Sequence, residues 1–422
     1  MKISFNSVDK KISSVVLSVA HDADRQGLRA FIVGGFVRDL ILKRKNLDFD
    51  FVIEGDGILF AKLLAKKFKA AVTVYNQFQT ATVALPQGLK FDVATSRKEV
   101  YPHPGALPVV APAALYEDLF RRDFTINAMA VAINRNRLGE LIDEFGGFED
   151  LKKKNIRVLH TKSFIDDPTR ILRAVRFEQR FGFIIEKETL ALLKNAVSKN
   201  AVAQVKSPRY FEEFRKILQE NEVKKNVRRL FDLGGMKFID ENWIFDQNLG
   251  SLLDAVKGNI AFFQKKLLRH FALNGWIAYF MALLRGLPFE KVESLLEKFQ
   301  FNANDRDQVL LSAFCQKTLK RLSVGKLAPH DIFHILKPFG PEGLVYLYSC
   351  SQKGILKKRI QDFLTKYESV SLTVSGSDLK RLGFKPGPRM GSILEEILNQ
   401  KIDGKIKDRS GERKLAKSLC SR

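Results

Sequence analysis

Two short stretches near the front of the chain hold the residues best suited to chemistry. Asp48-Phe49-Asp50 lies within Leu47-Asp-Phe-Asp-Phe-Val-Ile53, and Gly34-Gly35 lies within Phe31-Ile-Val-Gly-Gly-Phe-Val-Arg-Asp39. On a strand, residues two apart point to the same side, roughly 6–7 Å from each other. Both carboxylates then share one face while Phe49 and Phe51 enter the core. Two hard oxygen ligands so placed suit Mg²⁺, which keeps several waters and also takes phosphate oxygens. A pair of such ions about 4 Å apart can activate an attacking hydroxyl and hold a leaving pyrophosphate. Asp92, within Phe91-Asp-Val-Ala-Thr95, supplies a third carboxylate if its strand pairs beside the first. The two glycines let a backbone approach a ligand with no Cβ in the way. The helix start that follows presents N–H groups to a phosphate, and Arg38 in its first turn adds a charge-assisted contact. Alone, Gly-Gly is an ordinary tight turn and Asp-x-Asp a solvated edge; a dozen residues apart, they describe a metal and phosphate site. The glycines are not a Walker loop, since Gly325-Lys326 and Gly404-Lys405 lack the following Ser or Thr.

The elements that must position these groups can be read from the same sequence. Short β-rich runs at 30–34, 49–53, 80–85 and 90–95, bounded by turn residues, predict strands. Between them, 58–69 has a helical apolar period. Pro102, Pro104, Pro108 and Pro112 make 101–113 a loop or extended arm rather than a core element. Beyond about residue 150 the pattern is almost wholly helical, broken by Pro and Gly near 207, 234, 287, 337–342 and 383–391. The predicted organisation is an α/β head over 1–150, then an all-α neck (151–220), body (221–345) and tail (346–422).

Composition narrows the function. The chain has 422 residues, 45% hydrophobic and 28% charged, as expected of a globular protein of several domains. Its net charge is +24 and is unevenly spread. Residues 1–150 hold 20 basic and 18 acidic residues, whereas 151–422 hold 51 and 29. A near-neutral front with a strongly basic rear is the footprint of a polyanion binder, most often of nucleic acid. No window of 18 apolar residues exists and Met1 to Lys11 lacks a signal peptide's apolar stretch, so no membrane role is expected. Cys315, Cys350 and Cys420 are too few and scattered for a disulfide framework or zinc site, which points to a reducing, cytoplasmic compartment. His330 and His334, four apart, read as structural.

With Gly34-Gly-Phe-Val-Arg-Asp39 and Asp48-Phe-Asp50 in hand, the sequence resembles the first motif of the class II tRNA nucleotidyltransferases and bacterial poly(A) polymerases, within the polymerase β-like superfamily. Further motifs follow in that family's order. Arg121-Arg-Asp-Phe-Thr-Ile-Asn-Ala128 resembles the second. Asp143-Glu-Phe-Gly-Gly-Phe-Glu-Asp150 with Arg157 resembles the third. Asp166-Asp-Pro-Thr-Arg-Ile-Leu-Arg-Ala-Val-Arg-Phe177 resembles the base-recognition helix, and Pro208-Arg-Tyr-Phe-Glu-Glu213 the last motif. The resemblance is dense over about 30–220, and Ser375 to Pro388 is similar to the tail of the tRNA enzymes. It implies a polymerase β-like nucleotidyltransferase head in which Asp48 and Asp50 hold the metals. It also implies that Gly34, Gly35, Arg38 and Arg122 contact the incoming nucleotide and that Asp123 lies near the ribose.

The helix after Pro168 has its own physical logic. Asp167 before proline predicts an N-cap and a first-turn proline. Arg170, Arg173 and Arg176 advance by about 300° each and stay within a stripe about 120° wide. The resemblance implies that Asp167 and Arg170 pair with the base while Arg173 and Arg176 line the pocket. Cytosine and adenine both carry an exocyclic amino group beside an unprotonated ring nitrogen, so a carboxylate can accept from one and a guanidinium donate to the other. Uracil and guanine present the reverse pattern and would leave polar groups unpaired. Capping and base reading compete for the Asp167 carboxylate. The family usually has Glu where Asp166 stands.

The resemblance therefore implies a metal-dependent transferase that adds CCA to the tRNA 3′ end from CTP and ATP with release of pyrophosphate. Its expected partner is the tRNA acceptor arm, with no stable protein partner implied. Alternatives are an enzyme adding only A or only CC, a poly(A) polymerase, and a non-catalytic RNA-binding protein. Intact Asp48 and Asp50 oppose the last, because a dead site has no reason to keep two mutually repelling carboxylates.

Overall fold

The structure, a computed structural model, describes residues 1–5, 8–268 and 272–420, Cys420 as backbone only, so the reading of that cysteine lies outside the described side chains. Among the described residues no helix is long and apolar enough to cross a membrane. The chain forms two compact units, Met1–Asn242 and Trp243–Arg422.

The first unit is built on a mixed sheet. Its strands are β1 (Arg29–Val33), β2 (Asp50–Glu54), β3 (Ala71–Tyr75), β4 (Thr80–Ala84), β5 (Lys90–Thr95), β8 (Ala130–Ala132) and β9 (Leu141–Ile142), in the order β3-β4-β5-β2-β1-β8-β9. Strands β6 (Arg97–Val100) and β7 (Val109–Pro112) pair antiparallel as a separate hairpin, which is the arm expected over 101–113. Strands β1 and β2 are buried on both faces over most of their length, whereas β5 alternates. In β5, Phe91 and Val93 are buried while Lys90 and Asp92 are exposed. Phe49, Phe51 and Phe91 are fully buried, with ring centroids 5.5–5.6 Å apart. Each such ring contributes roughly 1.5–3 kcal/mol by burial. In β5 that apolar side anchors the polar one, because the strand cannot slip by one residue without turning Phe91 and Val93 toward the exposed face of Asp92.

Helices α1 (Lys10–Arg25), α2 (Gly35–Ile41), α3 (Gly57–Phe68), α4 (Leu115–Phe120) and α5 (Gly147–Lys153) accompany the sheet. Helix α3 starts where Asp56 accepts from Leu59 N and ends at the left-handed Lys69. Helices α6 (Ser163–Asp166), α7 (Thr169–Phe181), α8 (Lys187–Ser198), α9 (Ser207–Leu218) and α10 (Val223–Asp232) complete the unit, with a short parallel pair, β10 (Asn155–Ile156) and β11 (Ile184–Ile185). Helix α7 buries Ile171, Leu172, Val175 and Phe177 and stops at Gly182. Strands β3 and β8 were not among the predicted ones. Strand β3 alternates, but only between exposed and half-buried positions at the sheet edge, and β8 is only Ala-Val-Ala, buried throughout.

The second unit is helical throughout its described residues. The helix Gly275–Leu283 is buried from Trp276 to Leu283, consistent with a segment apolar on every side. His330 Nδ1 pairs with Asp403 at 2.9 Å and His334 Nε2 with Asn399 at 2.7 Å, pinning Pro329–Leu336 to Pro388–Ile402. Val374, Leu379, Ile393, Ile397 and Ala416 form a local core under the last three helices.

Candidate active site

The first unit contains a cleft of about 830 Å³ lined by Gly34, Gly35, Asp48, Asp50, Arg122 and Asp123 and by Asp167, Arg170, Arg173 and Arg176 of the α7 region. Arg38 also lines it; of the twelve residues singled out in the sequence, only Asp92 does not. The lining holds eleven Lys or Arg against six Asp or Glu, so the space is cationic apart from one carboxylate edge.

That edge is set by the sheet. Strands β2 and β5 pair in parallel with Asp50 opposite Asp92, so the condition for a third neighbouring carboxylate is met by the register. Asp92 is exposed, however, and its Oδ1 accepts from Thr82 Oγ1 at 2.6 Å. Asp48 precedes β2, exposed, its backbone N–H held by Asn46 Oδ1 at 2.9 Å. Burial, with the charges of Asp48 and then Asp92, pushes Asp50 up to about 6, and Arg122 opposes the shift only in part. These carboxylates are therefore short of positive charge. A divalent cation fits Asp48 and Asp50 on that ground, its remaining positions filled by water or ligand oxygens. Among the described residues, no three His, Cys, Asp or Glu side chains close a cage by themselves.

Beside this edge, Gly34 has φ +72°, which a residue with a side chain rarely adopts. A Cβ there would also fall 2.8 Å from Arg122 Nη1, so the glycine lets the Arg122 guanidinium lie across the turn. Arg38 is more restrained than its sequence position suggests. It is 5% exposed, its Nε and Nη2 bind Asp39 at 2.9 Å each, and its Nη1 donates to Asn127 Oδ1 at 2.6 Å. Phe177 and Phe181 cover it at 5.3 and 4.7 Å. All three nitrogens are engaged, which makes Arg38 a wall of the cleft held in a fixed pose.

Deeper in, the charges are paired. Asp123 accepts from Asn127 Nδ2 at 2.9 Å and from Arg173 Nε and Nη2 at 2.8 and 2.5 Å. Burial works against its ionisation, but Arg173, Asn127 and Arg170 hold it down to about 2. Arg121-Arg-Asp123, which in isolation reads as a surface charge pair, is thus part of a buried network. Asp167 divides its carboxylate. Its Oδ1 caps α7, accepting from Thr169 N at 3.0 Å and Thr169 Oγ1 at 2.6 Å, while its Oδ2 pairs with Arg209 at 2.8 Å. Arg170 donates from Nη1 to Ser163 Oγ at 2.5 Å and from Nη2 to the Arg121 carbonyl at 2.7 Å. Arg122 Nε and Arg176 Nε are buried without a hydrogen-bond partner. Two orphaned cationic donors in one cleft match an anionic ligand.

Some lining groups were not singled out in the sequence. Asn127 links Arg38 to Asp123. Arg209 joins Asp167 to the arm by donating to the carbonyls of Gly105 and Ala106 at 3.3 and 3.2 Å. The arm tip approaches closely here: a Cβ on Gly105, φ +71°, would fall 2.7 Å from the Gln204 backbone. Arg209 stands inside Pro208-Arg-Tyr-Phe-Glu-Glu213 and Asn127 inside Arg121-Arg-Asp-Phe-Thr-Ile-Asn-Ala128, so the motifs contained both without marking them.

Residues 30–157 match the poly A polymerase head domain, and 182–240 match the probable RNA and SrmB-binding site of polymerase A. The A-adding tRNA nucleotidyltransferase of Halalkalibacterium halodurans is 31% identical over 93% of this chain and 89% of its own. The chain belongs to the tRNA nucleotidyltransferase and poly(A) polymerase family. The A-adding enzyme of Geobacter sulfurreducens is 37% identical over 94% of this chain but 46% of its own, and that of Aquifex aeolicus 36% over 90% and 45%. The chain thus spans just under half the length of these two relatives. The CCA-adding enzyme of Streptococcus sanguinis is 28% identical over 92% of both chains. Among solved structures, a CCA-adding enzyme with ATP superposes with a TM-score of 0.80 at 30% identity, covering 100% of this chain and 99% of that one. One with CTP gives 0.78 at 31%, covering 100% and 98%. The Thermotoga maritima CCA-adding enzyme complexed with tRNA gives 0.75 at 31%, also covering 100% and 98%. The α/β head of polymerase β type with a helical remainder is the architecture of this family, as the motifs implied.

Proposed function

We propose that this protein is a template-independent nucleotidyltransferase that builds the CCA end of tRNA from CTP and ATP, releasing pyrophosphate. One observation carries the reading: a single cationic cleft has the Asp48 and Asp50 carboxylates at one edge and the Asp167 and Arg170 pair in the same lining. Asp48 and Asp50 would hold Mg²⁺, which supplies charge neutralisation and a more acidic attacking hydroxyl when bound. The rest is the work of the chain. The Gly34-Gly35 turn admits a triphosphate, and Arg122 and Arg176 offer it their unpartnered donors. The tRNA 3′-hydroxyl then attacks the α-phosphate in line, and no side-chain nucleophile is needed.

Base choice follows from what remains open on two side chains. Asp167 Oδ2 has given one lone pair to Arg209, leaving one for the amino group of cytosine or adenine. Arg170 has used one donor on each terminal nitrogen and keeps others for the ring nitrogen. Capping and reading can therefore coexist on Asp167, because they use different oxygens.

The head over 1–150 supplies the chemistry in this reading, 151–220 the base-reading helix, and the body and tail, 221–345 and 346–422, the grip on the acceptor arm. In the tail, a cleft of about 580 Å³ is lined by Arg381, Arg409, Arg413, Lys414 and Lys417 around the lone Asp378, a surface suited to RNA phosphates.

A second reading, addition of A alone, is favoured by the identities: 37%, 36% and 31% to A-adding relatives against 28% to the CCA-adding one. Transcripts of tRNA ending at the discriminator base, at C and at CC, incubated with CTP and ATP together, one of them labelled, and Mg²⁺, separate the two. CCA addition extends all three to the full end, and A addition extends only the transcript ending in CC, by one residue. Long adenylate tracts point to a poly(A) polymerase, and absence of any incorporation overturns the proposal.

A further inference from the structure

One buried charge in the first unit is not used by the mechanism above. Asp118 on α4 is 0% exposed, beside Leu115 and Leu119 of the apolar core. An isolated carboxylate there costs several kcal/mol of lost hydration, so it persists only with strong partners. It has two. Its Oδ1 accepts from Arg121 Nε and Nη2 at 3.1 and 2.8 Å, and its Oδ2 accepts from Arg122 Nη2 at 2.9 Å. Burial opposes ionisation, but these guanidiniums hold its carboxyl below the usual range.

The two arginines lead to opposite ends of the cleft. Arg122 lies across Gly34 and its charge reaches Asp50. Arg121 does not point that way. Its Nη1 donates to Glu99 Oε1 at 2.8 Å on the arm, and its backbone carbonyl receives Arg170 Nη2 at 2.7 Å. Glu99 is fixed in turn by Tyr101 Oη at 3.1 Å. One carboxylate thus sets the side chain at the phosphate end and the backbone that locates the base-reading arginine.

We propose that Asp118 is a positioning residue that holds Arg122 at the phosphate end and, through Arg121, Arg170 at the base end, so that triphosphate binding and base choice share one support. The proposal rests on the nucleotidyl-transfer reading for its assay.

The test uses the full chain, Mg²⁺, and a tRNA ending in CC, with ATP and GTP compared in separate reactions. Asp118→Asn keeps the shape and removes the charge. It is expected to raise the KM for ATP about tenfold and to lower the ATP:GTP ratio of kcat/KM about tenfold, since each lost charged contact is worth about that much. Glu99→Gln loosens only the Arg121 branch. It is expected to lower the ATP:GTP ratio while raising the KM for ATP less than Asp118→Asn does. In a double-mutant cycle, Asp118→Asn and Arg122→Gln should be non-additive in the KM for ATP. Unchanged base preference in both Asp118→Asn and Glu99→Gln overturns the link to Arg170, and additive KM effects overturn the link to Arg122. A uniform fall in activity that tracks melting temperature, with no change in preference, makes Asp118 structural only. If Asp118→Asn does not fold, Glu99→Gln still decides the base branch. A wild-type protein that incorporates no ATP sinks the functional reading instead, and is distinguishable from all of these.

Discussion

The carboxylate edge of the cleft and its deeper floor are built on opposite electrostatic terms. At the edge, Asp48, Asp50 and Asp92 crowd like charges together, and Asp50 rises to about 6. On the floor, Asp123 is more deeply buried yet held down to about 2, because Arg173, Asn127 and Arg170 surround it. Burial penalises both carboxylates; the supply of positive charge separates them. An edge left short of cations is waiting for one from solution, whereas a floor already neutralised serves to hold side chains in place. The difference marks where a ligand brings charge and where the protein supplies its own.

The largest test of that contrast is on activity. Asp48→Ala or Asp50→Ala should lower nucleotide incorporation by about 10³-fold or more while tRNA binding, measured by filter retention, survives. Incorporation at the wild-type rate would refute the metal assignment. On the floor the expected loss is in stability. Asp123→Asn leaves the half-buried Arg173 with Glu213, at 3.6 Å, as its remaining ion-pair partner and with Asp167 acting at longer range, and should cost roughly 3 kcal/mol, seen as a lower denaturation midpoint.

Next comes base choice. Asp167→Ala or Arg170→Ala should raise UTP and GTP incorporation relative to CTP and ATP by about 10- to 100-fold, the worth of a bidentate base contact. Unchanged selectivity would reduce Asp167 to a helix cap. Asp50→Asn should do the reverse of Asp123→Asn. Asp50 titrates higher folded than unfolded, so the folded state is favoured below about pH 4 and loses that advantage as pH rises through about 6. In EDTA at pH 8 the variant should therefore be more stable than wild type by roughly 1–2 kcal/mol, allowing for partial solvent screening, with the gap closing towards pH 4. Equal melting temperatures at pH 8 would mean that the edge is not electrostatically starved. The smallest effect belongs to the tail: Arg409→Ala with Arg413→Ala should weaken tRNA binding a few-fold and flatten its dependence on salt by about one to two in log–log slope. An unaltered slope would remove that cleft from the RNA surface.

Much of this was legible before any coordinates. The alternation around Phe49, Phe51 and Phe91 located β2 and β5 and the exposed side that bears their carboxylates. The prolines of 101–113 kept the arm outside the main sheet, where it forms its own hairpin. Strand β3 escaped because its two faces differ only between exposed and half-buried, and β8 because an Ala-Val-Ala segment buried on both faces carries no contrast at all. Arg38 illustrates a different gap. Its place in the motif suggested a side chain free to swing toward phosphate, but Asp39 and Asn127 hold its guanidinium in one pose with one N–H left on each terminal nitrogen, and Asn127 is 89 residues away in the chain.

Local chemistry was decided by residue order: which side of a strand is polar, where helix α7 is capped, which stretches are basic. Those properties depend on neighbours within a few positions, so a linear reading reaches them. The pairing of charges was decided only by folding. That Asp50 faces Asp92, that Asp123 meets Arg173, and that Asp118 serves both Arg121 and Arg122 while the Arg121 carbonyl meets Arg170 depends on sheet register and helix packing. A charge's behaviour is set by what lies within a few ångströms of it in a medium of low dielectric, and most of those neighbours come from distant parts of the chain.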